Sequence, residues 1–188
     1  LMSGTSMDGV DLSLIKSDGN NEFVSILDNY SEYEGKLREK IISLRKKINL
    51  PEDLNKYSND LNDLEREITL FHCKLVNETI KNYKEEIDFI GFHGQTIFHN
   101  TKQKISKQLG DGNLLSQLTK KIVINNFRSK DIQNGGQGAP LAPIFHKLIS
   151  KMLNEKYRIN FPINFLNIGG IANITHVGNS LYACEVGP

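Results

Sequence analysis

The chain has no tryptophan, only two cysteines and only three methionines in 188 residues. Cys73 and Cys184 lie far apart, with no Cys-x-x-Cys or Cys/His ligand spacing, which excludes a disulfide framework and a structural zinc site as the organising principle. A reducing, cytoplasmic setting fits this cysteine usage. An excess of one charge is also missing. The 23 Lys+Arg stand against 22 Asp+Glu, a net +1, so no overall field draws the protein to nucleic acid or to an anionic membrane. No apolar run approaches the roughly 18 residues of a membrane span, and no basic segment leading into an apolar one opens the chain. Partners are therefore expected at local sites, with neither nucleic acid nor membrane among them. What is present is ordinary globular composition, 38% hydrophobic and 24% charged, in a length that permits one large domain or two small ones. Leu1 at one end and the turn signal Gly187-Pro188 at the other read as a chain cut at both ends.

Apolar periodicity divides the chain. Val10, Leu12 and Leu14 alternate with polar residues, so residues 10–16 and 22–28 are expected as strands joined across Asp18-Gly19-Asn20. Leu37, Ile41, Leu44 and Ile48 then mark one face of a helix. A second helix of about thirty residues is expected from Pro51, striped by Leu54, Tyr57, Leu61, Leu64, Ile68, Phe71 and Leu75. The stripe suits a coiled coil or a helix laid on a sheet, and the strands on both sides favour the sheet. His72 and Cys73 are read as packing or surface residues. Short apolar strands follow at 87–92 and 122–124, then a loop over 128–143, a helix over 144–154, and strands at 163–168, 172–177 and 180–185. A glycine-rich turn leading into a strand occurs near the start and again near residue 167, which suggests two related halves, the second incomplete.

Five segments could carry chemistry. Met2-Ser3-Gly4-Thr5-Ser6-Met7-Asp8-Gly9-Val10-Asp11 offers small residues, hydroxyls and carboxylates just before a strand, as a phosphate with its Mg²⁺ requires, although a tight hairpin has the same composition. It lacks the Gly-Lys-Ser/Thr of a Walker loop. Gly91-Phe92-His93-Gly94-Gln95-Thr96 ends a buried strand, where His93, Gln95 and Thr96 could bind a polar substrate; zinc at His93 and His99 lacks a third ligand. Arg128 followed by Gly135-Gly136-Gln137-Gly138 is an anion clamp or an Arg128–Asp131 surface pair beside a loop. Asn167-Ile168-Gly169-Gly170-Ile171-Ala172-Asn173 is a hairpin or a second set of phosphate-facing amides. Glu185 ends the last strand, a position suited to a general base or simply to an exposed glutamate.

Taken together, MSGTSMDGVD at 2–11, GFHGQTIFH at 91–99, QLGDGNLL at 108–115, FRSKDIQNGGQGAPLAPIFH at 127–146 and NIGGIANIT at 167–175 resemble the anhydro-N-acetylmuramic acid kinases of peptidoglycan recycling. The resemblance implies an α/β fold of the actin-like and hexokinase-like ATPase superfamily. Residues 1–140 would be a first, ribonuclease-H-like lobe with a mixed sheet and flanking helices, lacking its extreme N-terminus. Residues 141–188 would be the connecting helix and opening strands of a second lobe, in a chain half the family's length that by itself is expected to be inactive. It implies ATP and Mg²⁺ as cofactors and 1,6-anhydro-N-acetylmuramic acid as substrate, with hydrolysis of the anhydro bond and phosphorylation of O6 in one turnover. By resemblance, Gly4, Thr5, Ser6, Met7, Asp8, Gly9, Val10 and Asp11 form the ATP loop, Asp8 faces the metal, and Gly169 and Gly170 form the second phosphate turn. His93, Arg128 and Asp131 lie on the sugar side, with Arg128 the partner of a substrate carboxylate, and Glu185 is the catalytic base. The family carries aspartate where Glu185 stands, and many members carry aspartate where Asn126 stands. These departures leave open a nucleotide-binding regulatory module of the same fold. A homodimer is compatible with the sequence.

Overall fold

The computed structural model describes residues 1–187. The chain opens with a turn and then the antiparallel hairpin of β1 (Gly9–Ser17) and β2 (Phe23–Glu32), closed where the Asp18 carboxylate accepts the N–H groups of Asn20, Asn21 and Glu22. Val10 and Leu12 face the core while Asp11 and Ser13 face out, as strand alternation requires. α1 (Gly35–Lys47) buries Leu37, Ile41 and Leu44. The long helix expected from Pro51 is two helices, α2 (Pro51–Lys56) and α3 (Ser58–Lys81), parted at Tyr57, whose φ of −105° and ψ of 25° lie outside the helical region. The apolar stripe survives the break. Leu61, Leu64, Ile68, Leu75 and Val76 are buried within this chain, which disposes of the coiled-coil reading, and His72 and Cys73 are buried beside them.

β3 (Phe89–Gly91) pairs in parallel with β6 (Ile122–Ile124), and between them lie the antiparallel β4 (Gln95–Asn100) and β5 (Ile105–Leu109) and helix α4 (Gly112–Thr119). Asp111 caps α4, accepting the amides of Asn113 and Leu114 at 2.9 and 3.0 Å. Two bridges join these sheets through residues 1–3. Met2 exchanges both backbone hydrogen bonds with Asp11, and Ser3 runs parallel to Gln95. The core lies between this sheet and helices α1, α3 and α4.

Residues 128–133, expected in a loop, belong to helix α5 (Phe127–Gln133). Its only large apolar side chains are Phe127 and Ile132, too few to set a period. α6 (Pro143–Tyr157) then packs on the antiparallel meander of β7 (Ile163–Asn167), β8 (Ala172–Val177) and β9 (Leu181–Gly187). His146 of α6 stacks on Phe165 at 4.5 Å and meets the hydroxyl of the buried Thr175 at 2.9 Å. The architecture is thus α/β, with mixed parallel and antiparallel pairing.

Candidate functional site

Residues 4–8 form a tight turn, with the Met7 amide bonded to the Gly4 carbonyl at 3.2 Å and Met7 in the left-handed region at φ 55°. Thr5 and Ser6 are exposed at its tip, and among the described residues their backbone N–H groups take no hydrogen bond. Two unpaired amides at the apex of a small-residue turn are what an anion binds to. The Ser6 hydroxyl donates to Asp8 at 2.6 Å, which holds that carboxylate beside the turn. Met7, Gly9 and Val10 are buried and Asp11, though exposed, is paired within β1, so the free backbone of the predicted loop is at Thr5 and Ser6.

The Gly169-Gly170 turn between β7 and β8 meets this tip from the other side. A Cβ placed on Gly170 would lie 2.8 Å from the Thr5 hydroxyl, so the close approach of the two turns depends on glycine there. The two glycine-rich motifs, one at each end of the sequence, are therefore brought face to face.

A second group of predicted residues converges around Gly138. His93 follows β3, and its Nδ1–H donates to the Gly94 carbonyl at 2.7 Å, which fixes the tautomer and leaves Nε2 as an acceptor. Arg128 of α5 donates its Nε–H to that Nε2 at 2.8 Å and an Nη1–H to the Gly138 carbonyl, also at 2.8 Å. Burial, and secondarily the Arg128 charge, pull the His93 pKa down to about 4, so the ring is neutral at pH 7. Burial lowers the Arg128 pKa while the charge of Glu185 raises it; the guanidinium keeps its charge throughout.

The Arg128–Asp131 surface pair is not what forms. Asp131 instead accepts the Gly138 amide at 2.8 Å, and with Arg128 it grips both polar groups of Gly138, shaping the glycine-rich loop. Asp131 is thus placed to shape the site through Gly138. Glu185 lies on β9, opposite Asn173 of the GGIAN turn, and is exposed. Among the described residues it makes no ion pair, yet its charge reaches both Arg128 and His99. Pro188, the last residue of its motif, lies outside the described residues.

Gln95 and Thr96, expected as substrate contacts, are buried in β4; Gln95 is inaccessible and its Nε2–H donates to the Gly4 carbonyl at 2.9 Å. Among the described residues no three His, Cys, Asp or Glu side chains, His93 and His99 included, are grouped to hold a metal. The His99 Nδ1 meets the Ser106 hydroxyl at 2.9 Å, and its buried Nε2 has no partner among the described residues. Sequence reasoning missed Gly138 as the hub of the Arg128 cluster. The signal was available in the glycine-rich run, but the partner for its carbonyl was not.

Comparison with known proteins gives the family. A family model described as anhydro-N-acetylmuramic acid kinase matches residues 1–188. A protein of Pelagibacter ubique named anhydro-N-acetylmuramic acid kinase is 56% identical over 192 residues, covering 100% of this chain and 50% of the relative. Proteins of the same name from Agrobacterium fabrum and Rhodopseudomonas palustris are 37% and 35% identical, again over 100% of this chain and 51% and 52% of their own lengths. The chain thus spans about half the length of the curated relatives it matches, and across that span it belongs to the anhydro-N-acetylmuramic acid kinase family.

Proposed function

We propose that this chain supplies the phosphate-binding turns and part of the sugar site of an ATP-dependent kinase. The enzyme opens the anhydro bond of 1,6-anhydro-N-acetylmuramic acid and phosphorylates the freed O6, giving N-acetylmuramic acid 6-phosphate. The observation that carries the reading is the meeting of Thr5 with Gly170, which brings the two glycine-rich turns together. We read residues 1–140 as the first lobe and 141–188 as the connecting helix and first strands of a second. The strand order supports a ribonuclease-H-like core. β2, β1 and residues 1–3 are antiparallel neighbours, while residues 1–3, β3 with the start of β4, and β6 run parallel.

The residues suit Mg²⁺-ATP. The free amides of Thr5 and Ser6 and the bare Gly169-Gly170 backbone would hold phosphate oxygens, and the single carboxylate Asp8 suits an ion that keeps most of its water and takes the rest of its ligands from phosphate. When bound, the ion supplies neutralisation of charge on the phosphates. On the sugar side, Arg128 binds the lactyl carboxylate and the neutral His93 holds the guanidinium in place. Glu185 takes a proton from the water that attacks C1; the C1–O6 bond breaks, and O6 leaves with the electron pair that then attacks the γ-phosphorus, breaking its bond to the β-phosphate oxygen and releasing ADP. The near-neutral surface and this small-molecule site fit a cytoplasmic enzyme.

The test is to incubate the complete gene product carrying these residues with ATP, Mg²⁺ and the anhydro sugar in H₂¹⁸O, and to analyse the product by mass spectrometry. A 6-phosphate sugar with ¹⁸O at C1 is expected. ATP bound tightly without turnover, and unrestored by Glu185→Asp, would replace this reading with a regulatory nucleotide-binding module.

A further inference from the structure

The turn at residues 4–8 stands on polar side chains that a hydrophobic core would ordinarily exclude. Ser3 is 1% exposed, His72 and Gln95 are 0% and Tyr33 is 4%. The His72 Nδ1–H donates to the Ile68 carbonyl at 2.8 Å, so its Nε2 accepts the Ser3 hydroxyl at 3.1 Å, and the Tyr33 hydroxyl donates to Ser3 Oγ at 2.9 Å. At the next residue the Gly4 carbonyl takes the Gln95 Nε2–H. Tyr33 from the link between β2 and α1, His72 from the middle of α3 and Gln95 from the start of β4 thus converge on two consecutive residues.

Such a group is unfavourable as mere filling. Buried polar atoms gain little over apolar packing even when paired, and Gln95 Oε1 is left without a partner among the described residues. A leucine at position 95 would fill similar space and leave no orphan. What a leucine could not do is hold the Gly4 carbonyl inward. With that carbonyl engaged by Gln95 and by the Met7 amide, the chain turns so that the Thr5 and Ser6 N–H groups face outward unpaired. We propose that Gln95, His72 and Tyr33 are positioning residues for the phosphate turn: a buried polar bracket that presets the Thr5 and Ser6 amides before nucleotide arrives. This rests on the reading of that turn as a phosphate site. Pre-set dipoles bind an anion without reorganisation, so the bracket acts on nucleotide affinity and leaves the sugar to the Arg128 cluster.

The experiment uses the complete gene product with Gln95→Leu, Tyr33→Phe and, as a control, Thr119→Val. Thr119 is also a buried polar residue, bonded to the Leu115 carbonyl on α4 away from the turn. Steady-state kinetics give separate KM values for ATP and sugar, and amide hydrogen exchange reports the turn itself. Gln95→Leu is expected to raise the ATP KM about ten-fold, the weight of one well-placed hydrogen bond, and to leave the sugar KM within about two-fold. Exchange at Thr5 and Ser6 in the presence of ATP is expected to lose its protection. Tyr33→Phe, which removes one oxygen and folds if anything does, should give a smaller effect of the same kind. The proposal is overturned if the ATP KM moves no more than in Thr119→Val, or if both KM values rise together. A parent protein that binds ATP but makes no sugar phosphate would refute the kinase reading alone, because ATP protection at Thr5 and Ser6 would still decide the bracket.

Discussion

Acidification should weaken this fold well above the pH at which carboxylates titrate, because of two histidines. Burial pulls the pKa of His72 from 6.5 to about 4, and burial together with the Arg128 charge does the same to His93. In the unfolded chain both rings take a proton near 6.5; in the folded chain they refuse it until about 4. Stability is therefore full above pH 6.5, falls as the pH drops from 6.5 to 4, and levels off below. At pH 5 each ring costs roughly 2 kcal/mol relative to pH 7.5, about 4 kcal/mol together, a large part of the usual 5–15 kcal/mol of a domain. Asp18, Asp28 and Asp53, held below the ordinary carboxylate range by hydrogen bonds, lose their contribution only as the pH falls below that range and lie outside the window. With no tryptophan, urea unfolding is best followed by far-ultraviolet circular dichroism at pH 7.5 and 5.0. For a slope of about 2 kcal/mol per molar urea the midpoint should drop by about 2 M, and in His72→Gln by about half as much. A midpoint that shifts by less than about 0.3 M, or equally in parent and His72→Gln, would refute the assignment of neutral buried rings.

Gly94 has φ +73°, and a Cβ there would sit 2.5 Å from the Leu109 carbonyl, so Gly94→Ala should lower the unfolding free energy by about 2–3 kcal/mol in urea titration. Gly170→Val places branched carbons against Thr5; an ATP KM raised about ten-fold is expected with the melting temperature unchanged, because the turn is exposed. Arg128→Lys cannot reproduce bonds to both His93 Nε2 and the Gly138 carbonyl; a sugar KM raised by roughly 10- to 100-fold is expected, with the ATP KM unaffected. Moving that cation off the ring should also raise the His93 pKa, which NMR titration would read directly.

Local patterns in the sequence were sufficient for much of the secondary structure. The β1–β2 hairpin follows from alternation and an Asp-Gly turn, α1 and α3 from apolar residues every three or four positions, and the closing meander from short apolar runs cut by glycine pairs. The misses were where local signals were weak or hidden. β4 is buried on both faces from Gln95 to Phe98, so it lacks the alternation of a half-exposed strand. α5 has too few apolar side chains for a period, and α4, eight residues long and unread as a helix, is too short to establish one.

The sequence by itself determined the family and the identity of the glycine-rich and charged segments, since these are properties of residues close together in the chain. Which segments meet was decided only by the tertiary structure, because hydrogen bonds and close approaches between distant residues depend on how sheets and helices stack. Thr5 facing Gly170, Arg128 holding His93, Asp131 turned to Gly138 instead of to Arg128, and Gln95 withdrawn beneath Gly4 all belong to that second kind.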